Sequence, residues 1–532
     1  MALRKGRSPG RSLIPDKPVV LVAFEEQDNL GVGYIASALL EAGFMIKIID
    51  FRVGEAAILA NLLQLDPLAV GFSIIFQHHI DKFKALLSYL RENGISCHFC
   101  AGGHYPSLRH RELLDYLPEL DSVVLFEGEI TFVKLAQALA AGRDWKRTAG
   151  IAYLEKGAHK VRPLRPLVSD LDDFSPPVRL PLREYAFGKK YATLLAGRGC
   201  VNHCSFCSIR EFYSAPPGPV KRIRRPEMVA REMELLHREK DCSVFMFQDD
   251  DFPVTYQKKE WIREFCAFLE EKGLHRKILW KINCRPDEVD RETFTFLKEH
   301  GLFLVYLGIE SGTDEGLRLM KKRITVDTNL RAASILKELG ILFDYGFMLF
   351  DPSSTFPKVR ENLAFLKRLC GDGSSPVTFC KMLPYAETQV EKELKAQGRL
   401  KGNAGNEDYD FLDKRLNSLY GLMAESFSDW VGDHDGLLNL ARWARYFLFL
   451  YQKYFPASPR FLAVEKETRE IISRSNLYFV DASRKMISLF DSDRPFTDIP
   501  HARALQKDVG RKHKQFSSAL NRVITKIENL PH

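Results

Sequence analysis

Three cysteines, Cys200, Cys204 and Cys207, stand at spacings of four and three inside LLAGRGCVNHCSFCSIREFY, residues 194–213. Cysteine thiolate is the preferred protein ligand of iron–sulfur clusters, and three thiolates on one loop hold three irons of a [4Fe-4S] cluster. The fourth iron then has no protein ligand nearby and stays open to a small molecule. A structural zinc site is the competing reading, but zinc wants a fourth Cys or His at short spacing. His203 lies inside the loop and the next cysteine is Cys242, far along the chain. The ligand arithmetic favours the cluster.

The elements around that loop must hold it. Tyr191 to Ala196 is a short apolar run that reads as a strand, and Gly197 and Gly199 loosen the turn. Helical and strand-like segments alternate beyond it: a helix over 224–240, a strand over 243–252, a helix over 261–273 and a strand over 278–287. The alternation continues with a helix at 291–301, strands at 302–312, 341–352 and 376–384, and a helix at 325–340. Such β/α repetition over residues 186–400 predicts a full or partial parallel barrel. Chemistry in barrels sits at the carboxyl ends of strands. That rule nominates Gln248, Asp249, Asp250, Asp251, Asn283, Arg285, Glu310 to Gly312, and Met348. Three consecutive aspartates suggest a divalent metal, but neighbouring residues of a strand point to opposite faces, so at most two converge. One of them reads as a partner for a cationic amino group, with an ordinary polar strand end as the alternative.

Residues 17–145 show a second alternating pattern. PVVLVAF (18–24) is a β-branched run of the kind found in buried parallel strands. A helix from Gly31 to Ala42 follows, closed by Gly43, then strands at 44–51 and 68–75 and a helix at 81–94. The expectation is a doubly wound parallel sheet. Ligands of such sheets bind at the carboxyl ends of the strands, where Asp28, Ser73, Gly102, Gly103 and Glu127 to Thr131 fall. No G-x-G-x-x-G follows the first strand, so the generic dinucleotide reading lacks its fingerprint.

Between the two lies a connector, residues 146–185: a hairpin-like piece (150–162) and a Pro-rich stretch (163–181) expected to be an extended tether. Residues 401–532 change character and read as helices, at 412–431, 435–455 and 509–530. The 435–455 segment is strongly apolar, but Arg442, Arg445 and its length argue against a membrane span. Core packing is its default, with a role over the barrel mouth or on a lipid-like substrate as the alternatives. Residues 501–532 carry a net charge of +5, normally a solvated helix face. The chain of 532 residues has 77 basic and 69 acidic side chains. That excess is too small to argue for nucleic acid. Residues 1–16 are basic and rich in Pro, Gly and Ser without an apolar core, and read as a flexible tail rather than a secretory signal. Ten cysteines without an export signal point to a reducing cytoplasm.

Cys-x3-Cys-x2-Cys with the aromatic Phe206 before the last cysteine resembles the cluster loop of radical S-adenosylmethionine (SAM) enzymes. The resemblance implies that SAM chelates the open iron and is cleaved to a 5′-deoxyadenosyl radical. It also implies that Gln248 and Asp249 meet the SAM amino group, with Asn283, Arg285 and Glu310 contributing ribose and carboxylate contacts. Gly308-Ile309-Glu310-Ser311-Gly312, followed by Leu319, Met320 and Lys321, is similar to a sequence of cobalamin-dependent members, as is Pro384-Tyr385-Ala386-Glu387-Thr388. The first domain resembles a cobalamin-binding domain. That family's Asp-x-His-x-x-Gly, Ser-x-Leu and Gly-Gly motifs match Glu26-Gln27-Asp28-Asn29-Leu30-Gly31, Ser73-Ile74-Ile75 and Gly102-Gly103. Asp28 stands at the axial histidine position, which implies cobalamin bound without a histidine below it. Gly128-Glu129 after the fifth strand also matches, extending the cofactor-binding set to Gly128, Glu129 and Thr131. His78 and His79 are candidate cobalt ligands, with solvated or capping histidines as the plainer reading.

The resemblance spans Pro18 to Leu400 and identifies the chain as similar to cobalamin-dependent radical SAM enzymes of the class B methyltransferase type. Its implied activity is methylation of an unactivated carbon of a natural-product, lipid or peptide precursor, with cobalamin carrying the methyl group and a second SAM restoring it. The alternatives are a cyclase, ring-contracting enzyme or oxidase on the same cofactors, and a non-catalytic cobalamin sensor. Methylthio transfer usually brings an extra all-β RNA-binding module, which the sequence lacks. An external electron donor of flavodoxin or ferredoxin type is the implied partner.

Overall fold

A computed structural model describes residues 17–25, 28–432, 435–455, 458–491 and 499–531. The basic tail at 1–16, together with Glu26 and Gln27, lies outside the described residues. The chain divides into two compact units. One comprises the residues up to Pro181 together with Ser208–Arg222 and Gly402–Glu407; the other comprises Leu182–Cys207, Ile223–Lys401 and Asp408–His532.

The first unit is built on a seven-stranded sheet. In chain order its elements are β1 (Val19–Ala23), α1 (Leu30–Glu41), β2 (Ile46–Asp50), α2 (Glu55–Leu65), β3 (Ala69–Ser73), α3 (Ile80–Glu92) and β4 (His98–Gly102). Then come α4 (His104–Leu108), α5 (His110–Tyr116), β5 (Ser122–Val124), α6 (Gly128–Ala140), β6 (Ile151–Glu155) and β7 (Ala158–Val161). The strand order is β2-β1-β3-β4-β5-β6-β7, parallel from β2 to β5 and antiparallel at β6 and β7. β1 (VVLVA) is buried at every position because helices cover both faces of the sheet, which is why it carries no polar alternation. α1 starts where the Asn29 side chain accepts from the Val32 N–H at 3.2 Å, a cap contributing about 1 kcal/mol.

The connector is not a free tether. Its hairpin supplies β6 and β7 of the sheet, and its Pro-rich part docks on α1. Ser37 Oγ donates to Pro176 O at 2.6 Å, and Val178 N–H donates to Gly33 O at 3.0 Å. A Cβ on Gly33 would come within 2.6 Å of Val178 O, so the glycine permits this approach.

The second unit holds another seven-stranded sheet. Across it run Cys380–Lys381, Leu342–Phe350, Leu302–Glu310, Leu279–Cys284, Cys242–Phe247, Lys189–Leu194 and Glu184–Ala186. All neighbours are parallel except the last pair. The two edges do not pair, so this is a partial barrel. The strand expected over 376–384 reduces to Cys380–Lys381. Threonines cap the helices that follow the strands: Thr313, Thr325, Thr355 and Thr388 each accept from a backbone N–H two or three residues into the helix.

Three long helices complete the unit: Leu437–Tyr454, Pro459–Phe490 and Ile499–Glu528. The middle one, 32 residues, has no counterpart in the sequence reading; Ser458 caps it and Pro459 opens it. The apolar helix Leu437–Tyr454 packs on the starts of the barrel strands, where Leu450 meets a cluster with Val244, Leu279 and Leu304. Among the described residues, no helix is long and apolar enough to cross a membrane.

Candidate functional site

The cluster loop leaves the strand Lys189–Leu194 and is tied down by carboxylates from the neighbouring strand end. Asp249 is 1% exposed and spends both oxygens on backbone N–H groups, Ala196 at 3.0 Å and Gly197 at 2.6 Å. Asp250 accepts from Gly199 N–H at 2.9 Å, and Asp251 Oδ2 lies 3.8 Å from Cys200 Sγ. All three aspartates reach the loop, each at a different point, and among the described residues they do not converge on one ion, in line with the expectation that at most two would. All three can reach it because the strand ends at Phe247, so face alternation no longer governs residues 249–251. Asp249 positions the loop through these two hydrogen bonds. Gln248 beside it is exposed.

The far side of the loop is equally fixed. Ser205 N–H donates to Met320 O at 3.0 Å, Ser205 Oγ to Leu319 O at 2.9 Å, and Val390 N–H to Ser205 O at 3.1 Å. Arg224 donates through its backbone N–H to Ala196 O at 2.7 Å and pairs with Glu232 at 2.6 Å. Between these anchors Cys200, Cys204 and Cys207 are half-buried, and Phe206 packs against the core. Asn202 aims its backbone N–H (3.5 Å) and its amide Nδ2 (3.4 Å) at Cys200 Sγ. Donors directed at sulfur are the surroundings of a metal-bound thiolate. Among the described residues no three His, Cys, Asp or Glu side chains converge on a single ion. A cubane's thiolates bind separate irons, so three half-exposed cysteines on a pinned loop still fit the cluster.

In the strand Leu302–Glu310, positions 304, 306, 308 and 310 share one face, and residues 305, 307 and 309 are fully buried on the other; a register shift before Leu304 interrupts the alternation at its start. Glu310 has φ +66° and lies 3.5 Å from Lys322 Nζ. Burial pushes its carboxyl above the ordinary range, and Lys322 and Arg285 pull it back only in part. Arg285 bridges Asp287 at 3.0 Å and Lys322 O at 2.7 Å. Asn283 donates to Asp249 O at 2.8 Å and receives Lys281 Nζ on its own carbonyl oxygen. The structure thus brings Asn283, Arg285 and Glu310 together with the loop. Met348, expected beside a cofactor, is 6% exposed within the core. Lys281, Lys322 and Arg224 are site residues that sequence reasoning missed; Lys281 was findable, two positions before Asn283 on one strand face.

In the first unit, Ser73 and Gly102 sit side by side in register at the carboxyl edge of the sheet. Gly103 has φ +122°, and a Cβ there would meet Ile74 O at 2.5 Å. Asp28 has φ +64° and is ion-paired to Arg179 from the connector. Gly31 is the second residue of α1 and Gly128 the first of α6. Glu129 and Thr131, expected to face a ligand, are only 4% and 1% exposed on the inner face of α6, where Thr131 packs on Gly150. Glu127 instead forms a bidentate pair with Arg222, at 2.7 and 2.9 Å, on a guanidinium only 2% exposed. His79 stacks on Phe24 at 4.1 Å, and burial pushes its ring down to about 4, so it is neutral at neutral pH. Ile75, Phe76 and Ile130 expose 37%, 49% and 41% of their surface near this sheet edge. Exposed large apolar groups beside a glycine turn at the strand ends of a 2-1-3-4-5 sheet fit a broad, flat ligand such as a corrin.

Comparison with known proteins agrees with this geometry. Residues 17–136 match the B12 binding domain family, and residues 194–356 match the radical SAM superfamily. An uncharacterized methyltransferase of Pyrococcus horikoshii is 29% identical over 369 residues, covering 68% of this chain and 77% of the relative. An anaerobic magnesium-protoporphyrin IX monomethyl ester cyclase of Rubrivivax gelatinosus is 29% identical over 344 residues, covering 62% of this chain and 60% of that protein. The solved structure of OxsB, a cobalamin-dependent SAM radical enzyme with aqua-cobalamin bound, aligns with a TM-score of 0.68 at 17% identity. That alignment covers 97% of this chain and 85% of OxsB, and shows the shared fold. Both a B12 binding domain and a radical SAM domain are thus matched, in this order along one chain, the arrangement that resembles cobalamin-dependent radical SAM enzymes, and the cofactors these domains imply are a [4Fe-4S] cluster, SAM and cobalamin.

Proposed function

We propose that the chain methylates an unactivated carbon of a small-molecule, lipid or peptide precursor in the cytoplasm, drawing electrons from a flavodoxin or ferredoxin-type donor. The observation that carries the reading is the relative named a methyltransferase, which shares 29% identity across 68% of this chain. When bound, the cluster with SAM supplies a hydrogen-abstracting radical, and cobalamin supplies a methyl group.

This chain's own residues do the holding. Cys200, Cys204 and Cys207 ligate the cluster, on a loop that Asp249, Asp250 and Ser205 keep in place. Gln248, Asn283, Arg285 and Glu310 present polar groups to SAM at the strand ends, with Phe206 beside them. Ser73, Gly102, Gly103 and the start of α6 at Gly128 form the cobalamin edge in the first unit. Asp28 there is engaged by Arg179 and supplies no ligand to cobalt.

The second reading is oxidative cyclisation without methyl transfer, favoured by the Rubrivivax gelatinosus cyclase at equal identity. The two readings part on products. Anaerobic protein reconstituted with iron, sulfide and cobalamin is given reductant and SAM, and its products are analysed by mass spectrometry. S-adenosylhomocysteine formed in step with 5′-deoxyadenosine supports methyl transfer; 5′-deoxyadenosine alone transfers the proposal to the cyclase or oxidase class. Binding of cobalamin with no SAM cleavage at all would leave the sensor reading.

A further inference from the structure

The barrel has a charged layer below the strand ends to which the cofactor contacts are assigned. Parallel register sets Asn283, Tyr306 and Asp344 side by side on three adjacent strands. Lys281 stands one inward position below Asn283, and its Nζ lies 5.9 Å from the Tyr306 ring centroid. From the helix Leu437–Tyr454, three side chains rise to the same layer. Arg445 Nη1 bonds Asp344 at 3.0 Å, the Tyr446 hydroxyl donates to the same carboxylate, and Arg442 Nε lies 3.5 Å from it.

That layer is short of acceptors. Asp344 answers Arg445 and Tyr446 with hydrogen bonds, and Arg445 adds Phe343 O at 3.0 Å. Arg442 Nε is buried and has no hydrogen-bond acceptor among the described residues. Buried guanidinium donors are almost always satisfied, so an unmet one marks a place where an acceptor belongs. Among the described residues Lys281 reaches Asn283 Oδ1 and, at 3.4 Å, Phe247 O, both uncharged. The Tyr306 side chain is open to solvent, with 38% of the residue exposed, and its hydroxyl lies against Gly346. One carboxylate faces three cations here. The carboxylates above are occupied: Glu310 by Lys322, and Asp249 by backbone N–H groups.

We propose that Arg442, Lys281 and Tyr306 form a binding subsite for an anionic group, a carboxylate or a phosphate, carried by the organic substrate. It rests on the reading that the barrel houses that substrate. Arg442 donates to the anion in the plane of its guanidinium, Lys281 supplies a point charge, and the Tyr306 hydroxyl donates a further hydrogen bond. The C-terminal helices then select the substrate, since Arg442 comes from them. Burial holds Lys281 down to about 8, so it is charged at neutral pH, and only above that value does an arriving anion draw a proton onto it.

The test is calorimetric titration of full-length reconstituted protein with inorganic phosphate and, separately, with acetate, against chloride at matched ionic strength. Saturable binding of either anion is expected, and which of them binds identifies the group. Affinity should fall about tenfold or more in Arg442→Gln and in Lys281→Gln, because each removes a charge-assisted contact. Tyr306→Phe should weaken binding by a smaller factor, and the surface control Lys507→Gln should leave it unchanged. Near pH 8.5 acetate binding should take up protons in the parent protein and not in Lys281→Gln. Equal affinities in all variants, or no binding beyond chloride, overturn the proposal. S-adenosylhomocysteine formation is read separately, so loss of methyl transfer with the anion still bound defeats only the activity reading.

Discussion

Replacing Asp344 by asparagine tests what holds the C-terminal helices to the barrel. The carboxylate is 6% exposed and accepts from Arg445 at 3.0 Å and from the Tyr446 hydroxyl, with Arg442 at 3.5 Å. Burial alone would push its pKa up, but Arg442, Arg445 and Tyr446 more than offset this and hold it below the ordinary value. The amide keeps the shape and removes the charge, stranding the Arg445 guanidinium, whose side chain is 6% exposed. Removing one partner of a buried pair costs about 3–5 kcal/mol. Because a two-unit chain need not unfold in one step, the readout must be local. Hydrogen exchange in peptides from 437–454 provides it, and 3 kcal/mol corresponds to roughly 100-fold faster exchange where opening is rate-determining for protection. The same carboxylate predicts acid behaviour. Its stabilisation is complete above its unfolded pKa of about 3.9 and is lost as pH falls through the lower folded value. A change below about tenfold in exchange would refute the assignment of this pair as the anchor.

Three further outcomes follow from the geometry. Asp249→Asn should weaken cluster retention about tenfold, measured as iron per chain after desalting, because an NH₂ group would face the Ala196 or Gly197 N–H. Gly103→Ala should destabilise the first unit by about 2–3 kcal/mol in denaturant titration, since φ +122° and a 2.5 Å approach to Ile74 O exclude a Cβ; Gly102→Ala, with its nearest neighbour at 3.7 Å, should cost little. The first unit should also loosen in acid. Burial lowers His98 and His104 to about 4, so the unfolded chain protonates first; their contribution is complete above about pH 6.5 and is lost toward pH 4, visible as faster exchange in 98–108.

What the sequence made legible was whatever local chemistry decides. β1 reads as a buried strand because five consecutive apolar residues fit only a sheet covered on both faces. The cluster loop reads from its cysteines, because three thiolates at short spacing have few other uses. Misreadings began where a partner is distant or a strand stops early. Asp249 to Asp251 were given strand alternation past the strand's end at Phe247. The Pro-rich segment looked like a tether because its anchors, Ser37, Gly33 and Asp28, are more than a hundred residues away. The 32-residue helix from Pro459 has polar residues on every turn, which hid its buried stripe from Phe461 to Phe490.

Arg442 and Arg445 show how one pair of residues can argue two things. In sequence they interrupt an apolar helix and forbid a membrane span. In the fold they are the reason that helix belongs to the barrel. An open seven-stranded sheet leaves its inward face unfilled at the strand starts, and apolar residues such as Val244, Leu279 and Leu304 need a cover there. Leu450 and its neighbours supply it, between about one and two helical turns beyond the arginines. Midway up the barrel the filling turns polar, because Asp344 has to be neutralised and the helix brings two cations for one carboxylate. Apolar cover accounts for the helix being there, and Arg445 alone would satisfy Asp344. Arg442 is surplus to both tasks, and its Nε, buried without a hydrogen-bond acceptor among the described residues, is the donor assigned above to the substrate's charge.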